Sequence, residues 1–375
     1  MKIFYLANSY IPSRSANSIH VMKMCQALAQ NRHDVTLLTF DSTLNEEQDV
    51  DDVFMYYGVE PCFRIKKLPL RNIKGKIHLF SLEAINYIKS RKCDLVYTRC
   101  SLPAIYLSYT SIPYVFEIHK PPSSISRLQR PFFRHIFKAA NLKRFIVISS
   151  ALKTIFTTEM RLNGIDVAVL HDGADLLQQE NNIPAINWNC RNGHMQAGYF
   201  GHLYPGRGIE VLLHLAGSLP SVDFHIVGGK EKDVTYWQHE AGHLKNLYFH
   251  GFISPRDVAY YRQQCDILLA PYQKQVWVEN RGQESSRYMS PLKIFEYMSS
   301  RKCIICSDIP VLREVLNENN AILVSPDDTS EWIDAVSRCS DKNIRKRLAE
   351  QAFSDFLNNF TWSKRAENAL SAIGR

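Results

Sequence analysis

Two successive series of alternating strand-like and helix-like segments predict an α/β chain of two doubly wound, Rossmann-like domains facing across a cleft. Three observations carry that expectation. The chain has 375 residues, too many for one comfortable core. Strand-sized apolar runs alternate with helical periodicities from the first residues. Around Leu177 to Gly193 the periodicity fails and Gln, Asn and Pro dominate, as in a linker. The expected division is therefore 1–180, 181–360 and a tail, 361–375, whose helix packs back on the first domain.

The first series opens with a strand over Lys2 to Ala7. A helix over Ser18 to Asn31 places Val21, Met24, Cys25 and Leu28 on one side, and a strand over Val35 to Thr39 follows. Further strands are predicted near Leu95 to Thr98, Tyr114 to Ile118, Phe145 to Ile148 and Val167 to Leu170. Such alternation implies a parallel sheet covered on both faces. The acidic stretch Asn45 to Asp52 reads as a loop or helix end. The second series runs strand Gln196 to Phe200, helix Ile209 to Ala216, strand Asp223 to Val227, helix near Val234 to Ala241 and strand Leu247 to Phe249. Helix Pro255 to Gln264, strand Ile267 to Ala270, a helix opening at Pro291, strands Ile304 to Cys306 and Ala321 to Val324, and helix Ser330 to Cys339 complete it. Between Pro271 and Ser290 lies a long polar loop with Trp277, Glu279, Arg281 and Tyr288, and loops of that length are often functional. Thr361 to Ile373 reads as a last helix.

Hydrophobic and charged residues make up 45% and 22% of the chain, as in soluble globular proteins. No apolar run is long enough to span a bilayer, and Met1 to Ala7 lacks the length and small-residue exit of a signal peptide. A cytoplasmic location is expected. Nine scattered cysteines fit a reducing compartment. Cys303 and Cys306, three apart on a strand, point to opposite faces and cannot share a metal, so they read as packing. The net charge of +8 is uneven: residues 61–144 carry 17 Lys and Arg against 3 Asp and Glu. Within them Arg127, Arg130, Arg134, Lys138, Lys143 and Arg144 interleave with Leu128, Phe132, Phe133, Ile136 and Phe137, and Arg64, Lys66, Lys67, Arg71, Lys74 and Lys76 add to the charge. A basic amphipathic helix there would suit an anionic membrane surface; a charged face over an ordinary core helix is the alternative. No nucleic-acid partner is expected, since no such motif accompanies the charge.

The segment Ser290-Pro291-Leu292-Lys293-Ile294-Phe295-Glu296-Tyr297-Met298 is the most informative. Serine caps the first amides, proline suits the first helical position, and the positive end of the helix faces an anion. Helical spacing puts Lys293, Glu296 and Ser300 on one side and Ile294, Phe295 and Met298 on the other, so the carboxylate is expected to point away from the core. Gly201-His202-Leu203-Tyr204-Pro205-Gly206-Arg207-Gly208 follows a predicted strand and opens a predicted helix. Its glycines let backbone approach a ligand, and Arg207 offers a fork of donors to phosphate oxygens. His171, His225 and His250 read as ordinary polar residues near strand ends, Ser149 and Ser150 as a helix cap, and Trp332 and Trp362 as core aromatics. His119 stands apart, because it follows a strand where the first sheet meets the cleft. Glu117 shares its side of the strand, either orienting the site or forming a buried structural pair.

In order and spacing these segments resemble glycosyltransferase family 4. GHLYPGRG, Val227-Gly228-Gly229, Phe249-His250-Gly251, Asp266 before a strand ending in Ala270-Pro271-Tyr272, and SPLKIFEYM with SDIPVLREV look like that family's carboxy-terminal domain. The helix HVMKMCQALAQ, Phe116-Glu117-Ile118-His119, Val147-Ile148-Ser149 and His171-Asp172-Gly173-Ala174-Asp175 agree with its amino-terminal one. The resemblance implies the two-domain glycosyltransferase B (GT-B) fold and transfer of a sugar from a UDP- or GDP-linked donor with retention at the anomeric carbon. By position, Glu296 would bind the ribose hydroxyls, Arg207 with Lys293 would neutralise the diphosphate, and His119 would face the donor sugar. The amides of Ser290 and Leu292, flanking Pro291, would cradle sugar or phosphate, with Gly206 in the glycine-rich loop and Gly251 and Phe252 where the base is held. Arg14, Asn17 and Ser18 lie in the amino-terminal loop on the acceptor side. The chain departs from the family where Tyr288 replaces a frequent glutamate and His202 a frequent arginine, and where the Pro12 to Ser18 loop lacks a glycine pair.

The resemblance thus implies a bacterial-type transferase building a surface polysaccharide or a lipid-linked glycan, working at the inner face of the membrane. The fixed donors would stabilise the leaving phosphate, so that neither a metal nor another cofactor is needed. Asp49-Val50-Asp51-Asp52 could be read as the metal-binding pair of the other glycosyltransferase fold, but it lacks the fitting sheet pattern. A nucleotide-sugar 2-epimerase on the same fold and an inactive sugar-nucleotide-binding module are the alternatives.

Overall fold

Both alternating series fold into fully parallel sheets in the computed structural model, which describes all residues except 43–45, 163–164, 177–185, 187, 278–283, 372 and 374–375. The middle of the expected linker, and Glu279 and Arg281 of the long loop, lie outside the described residues. Packing divides the chain into two units, Met1–Asp172 with Trp362–Arg375, and Gly173–Thr361.

Unit 1 runs β1 (Lys2–Leu6), α1 (Ala16–Gln30), β2 (Asp34–Asp41), α2 (Val53–Tyr57), β3 (Arg64–Pro69), α3 (Lys76–Lys89), β4 (Leu95–Thr98), α4 (Ser101–Leu107), β5 (Tyr114–Ile118), α5 (Arg130–Ile136), β6 (Leu142–Val147), α6 (Ser150–Met160) and β7 (Val167–Val169). The sheet order is β3-β2-β1-β4-β5-β6-β7. Central strands β4 and β5 are buried at every position, as sheets covered on both faces require. Asp52 belongs to no metal pair; its carboxylate accepts from the Phe54 and Met55 amides (2.8 and 3.1 Å) and caps α2. Ser149 caps α6 by accepting from the Leu152 amide (3.0 Å).

Strand β3, helices α2, α3 and α4, and a further helix over Lys342–Asn359 escaped the reading of the sequence. Strand β3 is an edge strand with alternating exposure, and its outward lysines and arginine mask its period behind a run of charge. Helix α3 lies in the same basic stretch. The continuous basic amphipathic helix expected over 127–144 does not form. Helix α5 has only seven residues, and Lys143 and Arg144 lie on β6. Phe133 and Ile136 are fully buried, and Phe137 packs edge-on against Phe145 at 4.9 Å, because these aromatics fill the space between α5 and the sheet.

Unit 2 continues with β8 (Met195–Phe200), α7 (Ile209–Ser218), β9 (Val222–Val227), α8 (Glu231–Glu240), β10 (Leu247–Gly251), α9 (Val258–Gln263), β11 (Ile267–Ala270), α10 (Leu292–Ser299), β12 (Cys303–Ser307), β13 (Ile322–Val324), α11 (Thr329–Arg338) and α12 (Lys342–Asn359). Its order is β10-β9-β8-β11-β12-β13. Leu212, Leu215, Ile226, Ile267, Leu269, Ile305 and Trp332 form its core, each stabilising the fold by about 1.5–3 kcal/mol relative to exposure. The CxxC pair faces both ways: Cys303 meets Cys339 (Sγ to Sγ 3.8 Å), while Cys306 lies toward Lys293 on the other face.

The last helix, α13 (Trp362–Leu370), belongs to unit 1 and lies against α1. Trp362 meets the edge of His20 at 5.0 Å, and Arg365, only 2% exposed, donates to Glu117 (3.0 Å) and to the carbonyls of His171 (2.8 Å) and Leu170 (3.3 Å). Removing one partner of a buried ion pair strands the other charge. Arg365→Met is therefore expected to destabilise unit 1 by about 3–5 kcal/mol, read as a lower urea midpoint; an unchanged midpoint would mean that the pair contributes nothing.

Candidate functional site

Open parallel sheets take ligands at the carboxyl ends of their strands, where the strand order reverses. In unit 2 that point lies between β8 and β11, which pair only at Ile267 with Ala197 and Leu268 with Gly198. Beyond that pairing Tyr297 of α10 bridges the two strands. Its hydroxyl accepts from the Phe200 amide (2.9 Å) and donates to the Leu269 carbonyl (3.2 Å).

The loop after β8 rests directly on the loop after β11. Gly206 and Gly208 have φ of +83° and +80°, and a Cβ on them would come within 2.0 Å of the Gln275 carbonyl and 1.8 Å of the Pro271 carbonyl. Glycine is thus required twice, once for the left-handed backbone and once for the approach. The loop brings Arg207 beside Tyr272, its guanidinium 5.5 Å from the ring centroid. From the other side Lys293 places Nζ 3.8 Å from the Tyr199 centroid and 5.1 Å from that of Tyr272. Lys293 Nζ, Arg207 Nε and Tyr272 Oη are all buried without a hydrogen-bond partner. Burial and the neighbouring Arg207 hold the Lys293 ammonium well below the usual lysine range, and burial pushes the Tyr272 phenol up. Three donors converging without a bridging carboxylate among the described residues suit an anion.

Two expectations about α10 need correction. Its first residue is Leu292 and its capping position is Pro291, so neither Ser290 nor Pro291 takes the place assigned to it, and Pro291 makes no side-chain cap bond. Lys293 does not share the outward side: it is 9% exposed, beside Tyr199, Tyr272 and Arg207, and Ser300 is 2% exposed, its hydroxyl accepting from Arg262 (3.0 Å). Glu296 is partly exposed, as expected, with Oε2 3.5 Å from Arg262. His202 stacks on Tyr204 (4.8 Å, 12°), and its carbonyl accepts from Tyr199 (2.5 Å). Tyr288 is largely buried, its amide donates to the Ser285 carbonyl (3.1 Å), and burial with Glu284 pushes its phenol up to about 12. Gly251 ends β10 at φ +67° with open space where a Cβ would lie, and Phe252 follows, partly buried. His225 lies in β9 under Trp188 (3.8 Å), with its ring nitrogens 2.8 Å from Gln196 and 3.0 Å from His250, the bonding of an ordinary polar residue.

In unit 1 the order reverses between β1 and β4. The loop after β1 holds Arg14, bonded to Glu47 (2.8 Å), and Asn17, bonded to Ser9 (2.6 Å), both exposed. Ser18 is fully buried, its hydroxyl turned back on the Ser13 and Ser15 carbonyls (2.8 Å each), and Ser15 is the cap of α1. Ser18 therefore serves the helix start and is turned away from any acceptor.

His119 follows β5 and joins a buried network. Arg99 donates to its Nδ1 (2.9 Å); a guanidinium only donates, so Nε2 carries the proton and donates to Glu117. Burial and Arg99 lower its pKa to about 3, which keeps the ring neutral. Glu117 also accepts from Tyr97 and Arg365; burial pushes its carboxyl up, but Arg365, His20 and His119 together hold it well below the usual range. His20, Glu117 and His119 bring ligating atoms within 4.8 Å of one another. A cavity of about 590 Å³ at the opposite edge of the sheet, lined by Lys2, Arg64, Lys66 and Arg91 among others, is remote from this network.

Asp172 lies 3.2 Å from His20 and 3.8 Å from Arg365, and burial raises its carboxyl to about 7 although Arg365 opposes the rise. The folded chain thus binds this proton more tightly than the unfolded one. Its contribution to stability is complete below about pH 4 and is lost as pH rises to about 7. Asp172→Asn is expected to flatten that fall, on the order of a few kcal/mol, in urea titrations between those pH values; the same slope in the variant would contradict it.

Residues 18–177 match the family model described as Glycosyltransferase Family 4, and residues 195–342 match that described as Glycosyl transferases group 1. No curated protein matches by sequence. Sucrose-phosphate synthase from Thermosynechococcus elongatus superposes with a TM-score of 0.73 at 16% identity, over 98% of this chain and 96% of that one. HepE of Anabaena, solved with UDP and glucose, gives 0.70 at 16% identity over 100% and 99%. A point mutant of TarM of S. aureus, solved with fondaparinux, α-GlcNAc-glycerol and UDP, gives 0.70 at 9% identity over 100% of both. Two parallel α/β units of one strand order, with family matches to each, make this chain a glycosyltransferase of the GT-B fold, belonging to glycosyltransferase family 4.

Proposed function

We propose that the chain transfers a sugar, with retention, from a UDP- or GDP-linked donor to a glycan or lipid-linked acceptor, in the making of a surface polysaccharide. The observation that carries this is the convergence of Lys293, Arg207 and Tyr272 at the reversal point of the second sheet. Those donors suit a diphosphate, and Glu296 one turn into α10 suits the ribose hydroxyls. The UDP bound by HepE and TarM, and the fondaparinux bound by TarM, support a nucleotide donor and a glycan acceptor.

Breaking the bond between sugar and diphosphate builds negative charge on the phosphate. Donors fixed in a buried place stabilise that charge without reorganising, so they lower the barrier more than they tighten the ground state. The departing phosphate then accepts the acceptor's proton on the same face. Metal independence follows in this reading because the cations of Arg207 and Lys293 carry the neutralising charge.

Glu296→Ala is expected to weaken UDP or GDP binding by about 1.5–3 kcal/mol in calorimetry with the fold intact; unchanged affinity would remove Glu296 from the site. Arg207→Ala is expected to lower kcat more than it raises the donor KM, with wild-type activity surviving EDTA. Loss with chelator, restored by magnesium, would contradict the metal-free mechanism. For the membrane, the specific observation is that Leu128 (86%) and Phe132 (53%) stand exposed beside Arg127, Arg130 and Arg134. Co-sedimentation with anionic but not neutral liposomes, weakening as salt rises, is the expected result.

A further inference from the structure

Among the described residues, Lys293 on α10 forms no ion pair. It is more than nine-tenths buried, its Nζ has no hydrogen-bond partner, and its nearest ring is Tyr199 at 3.8 Å. Among the described residues, no group facing it offers a hydrogen bond or an ion pair, although Cys306 and Glu296 oppose the loss of its charge. Arg207, from the loop after β8, is a permanent cation and repels an ammonium. Glu296, one turn along α10, is the smallest influence on it and lies 3.5 Å from Arg262. The Tyr199 hydroxyl donates to the His202 carbonyl, and burial keeps the Tyr272 phenol and the Cys306 thiol protonated. Gly201 completes the enclosure, since a Cβ there would come 3.0 Å from Nζ. A buried amine in such surroundings sheds its proton instead of bearing an unpaired charge.

We propose that Lys293 is a neutral amine in the free protein and takes up one proton from solvent when a diphosphate binds, so that the pocket is a proton-coupled anion site. The incoming charge supplies the counter-ion that the protein withholds, and the proton leaves again with the nucleotide. Before ligand arrives, the pocket then holds one cation, Arg207, instead of two in repulsion. Affinity for the nucleotide becomes a function of pH through a single group. The inference rests on assigning this pocket to the donor's diphosphate.

The test is titration calorimetry of UDP and GDP at pH 8 in Tris and in phosphate, whose ionisation heats differ. At that pH a nucleotide's phosphates, with a last pKa near 6, are already ionised, so uptake reports the protein. Net uptake approaching one proton per nucleotide is expected, absent in Lys293→Met and Lys293→Arg and retained in His202→Gln. Wild-type affinity is expected to fall by about tenfold per pH unit above the titration of Lys293, while that of Lys293→Met stays flat. Binding without uptake, or uptake that persists in Lys293→Met, overturns the inference and leaves the donor assignment standing. If neither nucleotide binds, the proposed function fails instead. Pyrophosphate titrated into wild type and Lys293→Met then isolates the proton step, and equal uptake by the two, or no binding, overturns it.

Discussion

A lysine and an arginine meeting over two tyrosine rings, with no carboxylate between them among the described residues, is the constraint on which the second unit's site depends. Lys293 and Arg207 would repel each other in water and more strongly where they lie buried. The ring faces of Tyr199 and Tyr272 offer partial compensation, since a cation over an aromatic face gains about 0.5–2 kcal/mol. That is too little to offset full burial of an ammonium. The fold nevertheless fixes the arrangement, because Gly206 and Gly208 press one loop onto the other and Tyr297 holds the parted strands β8 and β11. Stability is given up locally at a place preorganised for negative charge.

The first unit solves the opposite problem. Glu117 is a fully buried carboxylate, and it is surrounded by donors from four elements: Tyr97 on β4, Arg99 after it, His119 after β5 and Arg365 on α13. A buried charge with this many partners keeps its charge and fixes its neighbours. Through it the last helix of the chain is tied to the middle of the first sheet. The same network sets the tautomer of His119 and directs both its ring nitrogens inward.

Much of this was legible in the sequence. Strands β4, β5 and β11 are short, mostly apolar and buried throughout, and their predicted limits match residue for residue. The glycine-rich loop and SPLKIFEYM announced the second site, since their glycines and charges stand at a strand end and a helix start. Strand β3 was hidden because charge overlay its period, whereas helix α3 carried a helical period in Phe80, Ala84, Ile85 and Ile88 that was passed over. Lys293 was placed outward because helical spacing alone cannot tell that β8 and the loops after β8 and β11, with Tyr199, Gly201 and Tyr272, close over that flank of α10. Tyr272, Arg99, His20 and Arg365 were missed as site residues. Tyr272 had a local signal, two residues past a strand of the ligand edge; the others come together only through contacts as distant as Arg365 with Glu117.

The central claim is that the donors between β8 and β11 hold a nucleotide's diphosphate. A crystal structure of the protein with UDP or GDP tests it most directly. The account predicts diphosphate oxygens within about 3 Å of Lys293 Nζ and of Arg207 or Tyr272 Oη. A nucleotide bound with its diphosphate elsewhere, and those three side chains still without a partner, would contradict it.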